Sequence, residues 1–377
     1  MSGYDIVILF VLIVLFINII ANRMVVKDPI ESGRRDTLPS VSVLIPTRNE
    51  AKNVGACLRG ALTQDHPRYE VILVDDSSTD ATVQIAQNIA ANNQRLRVFR
   101  GRPVAPHWFG KTYAQYQAAQ VSRGQYLLFL DADVVLDRRA LSYMVTAAQK
   151  GGAGILSVLP LQVKEGFWEG LLAPFKYFHL LLFFPLYAMD WAWEAMAAYA
   201  NGQCMLVERN AYKKIGGHSN ASETLREGAD MAKLLKQRGG TIKLLSGGGI
   251  ARARVYGGPP DLWEGMARSL YTLAHRSLLG AVLMIITYAL LFVIPFLTVI
   301  YTLVMGDKLG SVVLPIVQIG LAMVMFMAAM GRYGLAFSEV LLFPLGAAVW
   351  IGMITKAISV SLAKQGVTWK GRTVRLP

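Results

Sequence analysis

The sequence predicts an α/β domain on a mostly parallel sheet, flanked by an N-terminal apolar anchor and by further apolar segments towards the C-terminus. Three observations carry that expectation. Of 377 residues, 54% are hydrophobic and only 17% charged, against roughly 25% charged in ordinary soluble domains. Between residues 38 and 245, short β-branched runs alternate with amphipathic helical stretches. The long uncharged runs suited to a bilayer lie outside that region.

The anchor comes first. Ile6–Asn22 carries no charge and approaches the ~20 residues that cross a bilayer. Asp5 precedes it, while Arg23, Lys27, Arg34 and Arg35 follow. That asymmetry places the following chain in the cytoplasm, and the basic start and cleavage site of a signal peptide are not there. The expectation is an integral protein of the cytoplasmic membrane with a cytoplasmic catalytic domain. Residues 1–37 would be anchor and linker, 38–260 the α/β domain, and 261–377 further membrane segments with a basic tail.

Within the domain, Val41-Ser-Val-Leu-Ile45, Val71-Ile-Leu-Val74, Leu96-Arg-Val-Phe99 and Tyr126-Leu-Leu-Phe-Leu130 read as strands. Asn53–Leu62 and Ala81–Asn92 read as helices between them. Strands apolar on both faces and separated by helices indicate a parallel sheet covered on both sides. Residues 166–193 are rich in aromatics but interrupted by Lys176 and Asp190. Its uncharged part, Tyr177–Met189, is too short to span, so an interfacial amphipathic helix is expected. Ser277–Gly306, Leu309–Met330 and a segment from about Leu335 to Thr355 are transmembrane candidates. Three crossings would put Lys364, Lys370, Arg372 and Arg375 on the outer face, against the charge rule. A re-entrant hairpin at Pro295, within Ser277–Gly306, would remove the conflict.

The net charge of +13 suits anionic head groups or phosphates. No basic stripe interleaved with aromatics, zinc-ligand spacing or helix-turn-helix pattern accompanies it, so nucleic acid is not the expected partner. Two distant cysteines, Cys57 and Cys204, offer no disulfide framework, which suits a reducing compartment.

The chemistry concentrates at strand ends. The first strand runs into Pro46-Thr-Arg-Asn-Glu50, the second into Asp75-Asp76-Ser-Ser-Thr-Asp80, and the fourth into Asp131-Ala-Asp133. Ligands of open α/β sheets bind beyond the carboxyl ends of the strands. Asp131 and Asp133, two apart, point to one side of extended backbone. Such hard oxygens can hold Mg²⁺ or Mn²⁺ against the phosphates of a nucleotide. Lys111, after Gly110, could bring an ammonium to a phosphate or a base.

Together these motifs resemble glycosyltransferase family 2, inverting enzymes of the GT-A fold, a Rossmann-like α/β class. The resemblance runs over Val41–Glu50, Val74–Asp80 and Leu128–Asp133. Trp108-Phe-Gly-Lys111, Asn201-Gly-Gln-Cys-Met-Leu-Val207, Trp263-Glu-Gly265 and Trp369-Lys-Gly-Arg372 look like the membrane-bound, lipid-acting branch, with carotenoid, hopanoid-type and ceramide glycosyltransferases. It implies that Pro46, Arg48, Glu50, Asp75 and Asp76 line the nucleotide pocket and that Lys111 binds the donor. It implies that Asp131 serves the ribose and diphosphate, and with Asp133 a divalent metal. It places Asn201, Gly202 and Trp263 in the acceptor region.

The family's catalytic base is an aspartate after a glutamate at a helix start. Here Glu227 matches the glutamate and Gly228 occupies the aspartate position, with Asp230 one turn on. Glu227 or Asp230 is the expected base. No Arg-Trp pair of the processive synthases exists in the chain, which implies single-sugar transfer. The expected reaction moves a sugar, UDP-linked by the family match, onto a lipid hydroxyl. A polyprenyl phosphate acceptor, or a catalytically impaired donor-binding protein, are the alternatives.

Overall fold

The computed structural model describes residues 3–29, 38–191, 197–224, 226–254, 258–306, 309–363, 367–369 and 372–374. Arg34, Arg35, Trp193, Lys364, Lys370 and Arg375 lie outside the described residues. In chain order, the first half contains α1 (Gly3–Val25), β1 (Val41–Thr47), α2 (Val54–Leu62), β2 (Tyr69–Asp75), α3 (Thr82–Ala90) and β3 (Leu96–Arg100). Next come α4 (Gly110–Val121), β4 (Tyr126–Leu130), β5 (Val134–Leu136), α5 (Ala140–Lys150), β6 (Ile155–Leu159), β7 (Leu161–Gln162) and α6 (Phe167–Phe183). Then follow β8 (Cys204–Glu208), α7 (Arg209–Lys214), α8 (Glu227–Gln237), β9 (Ile242–Ser246), β10 (Ala251–Ala253) and α9 (Pro259–Arg276). The chain continues with α10 (Leu278–Tyr288), α11 (Ile294–Met305), α12 (Val313–Met330), α13 (Phe337–Leu341), α14 (Phe343–Leu362), β11 (Val367–Trp369) and β12 (Arg372–Val374). Two compact units divide these elements: residues 24–163 with 186–255, and residues 1–23 with 164–185 and 256–377.

The first unit is a seven-stranded sheet in the order β3-β2-β1-β4-β8-β6-β9. β2 and β4 flank β1, both parallel to it. Every residue of β1, β4 and β6 is buried except that β1 gives way to polar Thr47 at its end, itself only 3% exposed. Sandwiched strands of this kind read as continuous apolar runs because helices cover both faces. β3, with Arg97, Phe99 and Arg100 along it, is the edge. The four strands expected from the sequence are present and parallel. The sheet is completed by β6, β8 and β9, and β8 runs antiparallel to both neighbours.

That reversal positions the site. The β4–β8 pairing ends at Leu130 opposite Cys204, and the Asp131 amide then donates to the Gln203 carbonyl at 2.9 Å. The segment entering β8, residues 201–203, is therefore laid against the carboxyl end of β4. A smaller sheet, β5-β10-β7, closes the other side of that end.

The second unit is helical. Among the described residues, four helices are long and apolar enough to cross a membrane: Gly3–Val25, Leu278–Met305, Gly310–Tyr333 and Phe343–Leu362. Leu278–Met305 is helical throughout, with a π turn over Ala289–Val293 just before Pro295. The chain does not double back there, so the re-entrant hairpin is corrected. The missing Pro295 amide is absorbed by a wider helical turn instead of by a reversal.

The segment expected at the interface forms α6, and most of its aromatics are packed. Phe175, Tyr177 and Phe178 are fully buried. Phe175 stacks on Phe343 and Trp350 at 5.6 and 5.7 Å. Phe167 and Trp168 at its start, and Tyr187 and Trp191 after it, stand out. Its last carbonyls are satisfied by α1: Asn22 Nδ2 donates to Leu181 O at 2.8 Å and to Phe184 O, and Asn18 Nδ2 reaches Leu182 O at 3.0 Å. Asn22 is wholly buried among apolar neighbours. An Asn22→Leu substitution should leave those carbonyls without a donor and destabilise the helical unit by about 1–3 kcal/mol. Thermal unfolding of the detergent-solubilised protein measures this, and an unchanged midpoint would contradict the packing.

Candidate active site

Two loops form one wall of the site by hydrogen bonding to each other. The Asp76 amide donates to Thr47 O at 2.7 Å, and Arg48 Nη1 donates to Asp76 O at 2.6 Å and Ser77 O at 3.3 Å. Asn49 N meets Ser78 Oγ at 2.9 Å, and Thr79 N meets Asn49 Oδ1 at 2.8 Å. Glu50 N and Ala51 N reach Thr82 Oγ1 and Asp80 Oδ2. Asn49 and Ser77 adopt left-handed backbone, with φ of 50° and 56°. Such conformations cost about 1–3 kcal/mol and persist only when the surroundings impose them. Asp75 and Asp76 are 4% and 7% exposed. Asp75 Oδ2 accepts from Ser78 N, and the Asp76 carboxylate lies 3.9 Å from Arg48. Pro46, Arg48, Glu50, Asp75 and Asp76 are thus gathered on adjacent strand ends. Asp80 and Asn49, not singled out as site residues from the sequence, hold that wall in shape.

The other wall centres on Lys111. It lies in the first turn of α4, where the helix dipole disfavours a cation. Two carboxylates offset this: Lys111 Nζ is 2.7 Å from Asp131 Oδ1 and 2.7 Å from Glu227 Oε1. Burial of the ammonium works to lower its pKa. Asp131 and Glu227 outweigh that and raise it, so Lys111 is held charged. The approach is set by backbone, since Phe109 N and Thr112 Oγ1 both donate to Ser222 O. This ties the start of α4 to the chain leading into α8, and Glu227 opens α8. An acidic residue is favoured at that position.

The two walls meet around Cys57. Its thiol is buried and its pKa raised, first by burial and then by Asp133, Glu50 and Asp131. All three carboxylates are therefore within electrostatic reach of one sulfur on α2. Cys57 Sγ also lies 3.7 Å from the Asp131 carbonyl. Cys204 is likewise buried and free.

Gly228, where the sequence resemblance led to the expectation of an aspartate, has a steric reason. A Cβ on it would lie 2.7 Å from both Ala200 O and Gly202 N. A Cβ on Gly202 would lie 2.6 Å from Glu227 Oε1. The two glycines let α8 close onto the segment entering β8, so no side chain fits at 228. Asn201, 7% exposed, holds that segment through Ser157, with Asn201 N to Ser157 Oγ at 2.7 Å. Asp230 accepts from Thr224 Oγ1 at 2.5 Å, which in turn accepts from Arg226 N. It shapes the loop before α8. Trp263 belongs to the helical unit, where Lys356 Nζ lies 5.4 Å over its ring.

Asp131 and Asp133 suit a divalent metal in kind, as hard carboxylates on one strand end. Among the described residues no group of three or more acidic, histidine or cysteine side chains is gathered for a metal. The remaining ligands would come from phosphate oxygens and water, as Mg²⁺ favours.

His218, absent from the sequence expectations, packs edge-on to Phe129 at 4.7 Å and meets Tyr212 Oη at 2.9 Å. Its pKa is lowered to about 3, first by burial and then by the charge of Lys111. The folded value lies below the ordinary 6.5, so the unfolded chain binds the extra proton between those limits. This contribution to stability is complete above pH 6.5 and shrinks as pH falls, by about 1.4 kcal/mol per unit. Unfolding midpoints measured from pH 7 to 5 should fall, and His218→Asn should flatten the dependence. Gly228→Ala should destabilise the α/β unit by about 1–3 kcal/mol through overpacking. Gly228→Asp, which restores the family's residue, should unfold it further instead of improving activity, as read by the same melts.

Residues 42–216 match the family model described as Glycosyl transferase family 2. A 4,4'-diaponeurosporenoate glycosyltransferase from Staphylococcus haemolyticus is 28% identical over 62% of this chain, and one from Staphylococcus aureus 27% identical over 62%. The chain spans 62% and 61% of the length of these curated relatives. Among solved structures, a mannosyltransferase from Pyrobaculum calidifontis, in complex with GDP-Man and Mn²⁺, superposes with a TM-score of 0.54. That likeness covers 96% of this chain and 98% of the other at 17% identity, and speaks for the fold alone. Residues 42–216 therefore match the glycosyltransferase family 2 model and share the fold of that mannosyltransferase.

Proposed function

We propose that the chain transfers one sugar, with inversion, from a UDP-linked donor to the polar end of an apolar lipid at the cytoplasmic membrane face. The single observation that carries this reading is the cluster of Lys111, Asp131 and Glu227 at the sheet's carboxyl end, with Asp133 beside it. Arg48, Glu50, Asp75 and Asp76 would receive the nucleotide, with Pro46 shaping the turn. Lys111 would meet the donor's diphosphate. A divalent metal held by Asp131 and Asp133 would neutralise charge on the departing diphosphate. Glu227 lies beside Gly202, whose missing side chain leaves room there, and would take the proton of a hydroxyl acceptor. Asp230, engaged by Thr224, is the lesser candidate. Trp263 and Asn201 remain proposals for the acceptor region.

The relatives carry the name of a carboxylate lipid, and one observation favours that class of acceptor here. Glu227 is ion-paired to Lys111, and no side chain fits at Gly228. A carboxylate acceptor is already ionised at neutral pH and needs no base. With a hydroxyl acceptor, Glu227→Gln should lower kcat by roughly 100-fold or more. With a carboxylate acceptor the same variant should retain most of its kcat.

The test is incubation of membranes with labelled nucleotide sugars, followed by mass analysis of extracted lipids. Hydroxylated, carboxylated and phosphorylated lipids are compared as acceptors, the last testing a polyprenyl phosphate. Asp133→Ala should abolish transfer while leaving expression and membrane insertion intact. Nucleotide binding without turnover on any lipid would favour the impaired, donor-binding alternative.

A further inference from the structure

Apolar content alone makes Phe343–Leu362 a fourth membrane span, but its outward face differs from the other three. On α1 the exposed large side chains are Ile6, Val7, Phe10, Ile13, Val14, Ile17, Ile20 and Met24, with Tyr4 at its start. On α12 they are Val313, Ile316, Val317, Val324 and Met327. These are surfaces for lipid tails. On α14 the exposed stripe runs through Ala348, Gly352, Thr355, Lys356 and Ser359, bounded by Leu345 and Leu362. Phe343, Trp350, Met353 and Ile354 are turned inward, while Val349, Ile351, Ile358 and Val360 are half-buried beside the stripe. A hydrocarbon environment would select the reverse arrangement, and a lysine facing tails is costly.

The packing partners of α14 point the same way. α1 and α12 run parallel: Gln318 Nε2 reaches Asp5 O at 3.0 Å, while Arg23 Nη1 donates to Ala328 O and Arg332 Nη1 to Arg23 O. This defines an Arg23 end of the crossing helices. α6, about 25 Å long at 1.5 Å per residue, has both of its ends there. Ahead of its first turn, Lys164 binds Gly334 O and Glu339, and its last carbonyls bind Asn18 and Asn22. It therefore lies across the bundle and not along it. α14 begins with Phe343 against Phe326 at 4.7 Å. Phe343 also meets Phe292 of the neighbouring crossing helix at 5.1 Å, and α14 then packs on α6, with Gly346 against Leu171 and Phe175 and Trp350 against Phe175 and His179. Lys356, about 20 Å along the helix from Phe343, lies over Trp263 of α9. α9 carries Asp261, Glu264, Arg268, His275 and Arg276, too many charges for hydrocarbon.

From these contacts we infer that α14 does not cross the bilayer. It lies in the membrane plane at the Arg23 end, with α6 beneath it and its Thr355–Lys356–Ser359 stripe among lipid head groups. The chain then crosses three times, through Gly3–Val25, Leu278–Met305 and Gly310–Tyr333. The tail following Leu362 returns to the side on which α1 delivers the chain to the α/β domain. Arg372 then joins Arg23 and Lys27 on one face, which removes the charge conflict that a fourth crossing creates. Basic residues at that face fit anionic head groups.

Single-cysteine labelling with a membrane-impermeant maleimide tests this without reference to activity, in intact cells and in inside-out vesicles. The native Cys57 and Cys204 are fully buried, so background is low. Gly3→Cys and Lys52→Cys report the two sides, Ala363→Cys the start of the tail, and Thr355→Cys the polar stripe. All four positions are exposed, so the fold should tolerate them, and a single symmetric gel-filtration peak in detergent confirms it. Ala363→Cys and Thr355→Cys should label from the same side as Lys52→Cys. Labelling of Ala363→Cys together with Gly3→Cys would overturn the inference, as would a Thr355→Cys that reacts only after detergent is added.

Discussion

The α/β unit depends on one ammonium shared by two carboxylates. Lys111 bridges Asp131 and Glu227 at 2.7 Å each, and without it two acids from opposite ends of the domain would repel across a small gap. Charge-assisted hydrogen bonds of this kind are roughly twice as strong as neutral ones. They are formed between the start of α4, the far end of β4 and the start of α8, the last remote in sequence from the other two. The shared charge thus fixes the relative position of three elements and the geometry of the cleft together. It also reaches His218, which is kept neutral deeper in the core.

The glycines at 202 and 228 are the steric counterpart of that bridge. Lys111 draws Glu227 towards the sheet, and the approach succeeds only because the facing positions lack side chains. Read as a sequence, Gly228 suggests a lost catalytic residue. In the fold it is the space through which α8 docks. The lack of a side chain at 228 and the proximity of Glu227 therefore have one cause.

The helical unit follows a different rule, in which exposure is sorted by depth. Helices whose outer faces are uniformly apolar suit the hydrocarbon. α6 and α14 bury their aromatics against each other, around Phe175. Tyr177, Phe178 and Trp350 are large for the same reason that core residues are large: they fill space between helices.

Much of the α/β unit was legible in the chain. Strands β1, β2 and β4 are short and largely apolar on both faces, and the acidic runs after them announce the binding edge, because a buried strand can end in charge only where it meets solvent or a ligand. The anchor and the apolar C-terminal segments followed from length and charge alone. The tertiary structure decided what depends on distant residues meeting. β6, β8 and β9 were not distinguished as strands, because a five-residue apolar run carries no period that separates strand from helix. The direction of β8, the pairing of Lys111 with Glu227 across more than a hundred residues, and the steric role of Gly228 come from packing. So does the polar outward face of α14, since composition counts apolar residues and only the fold shows which way they point.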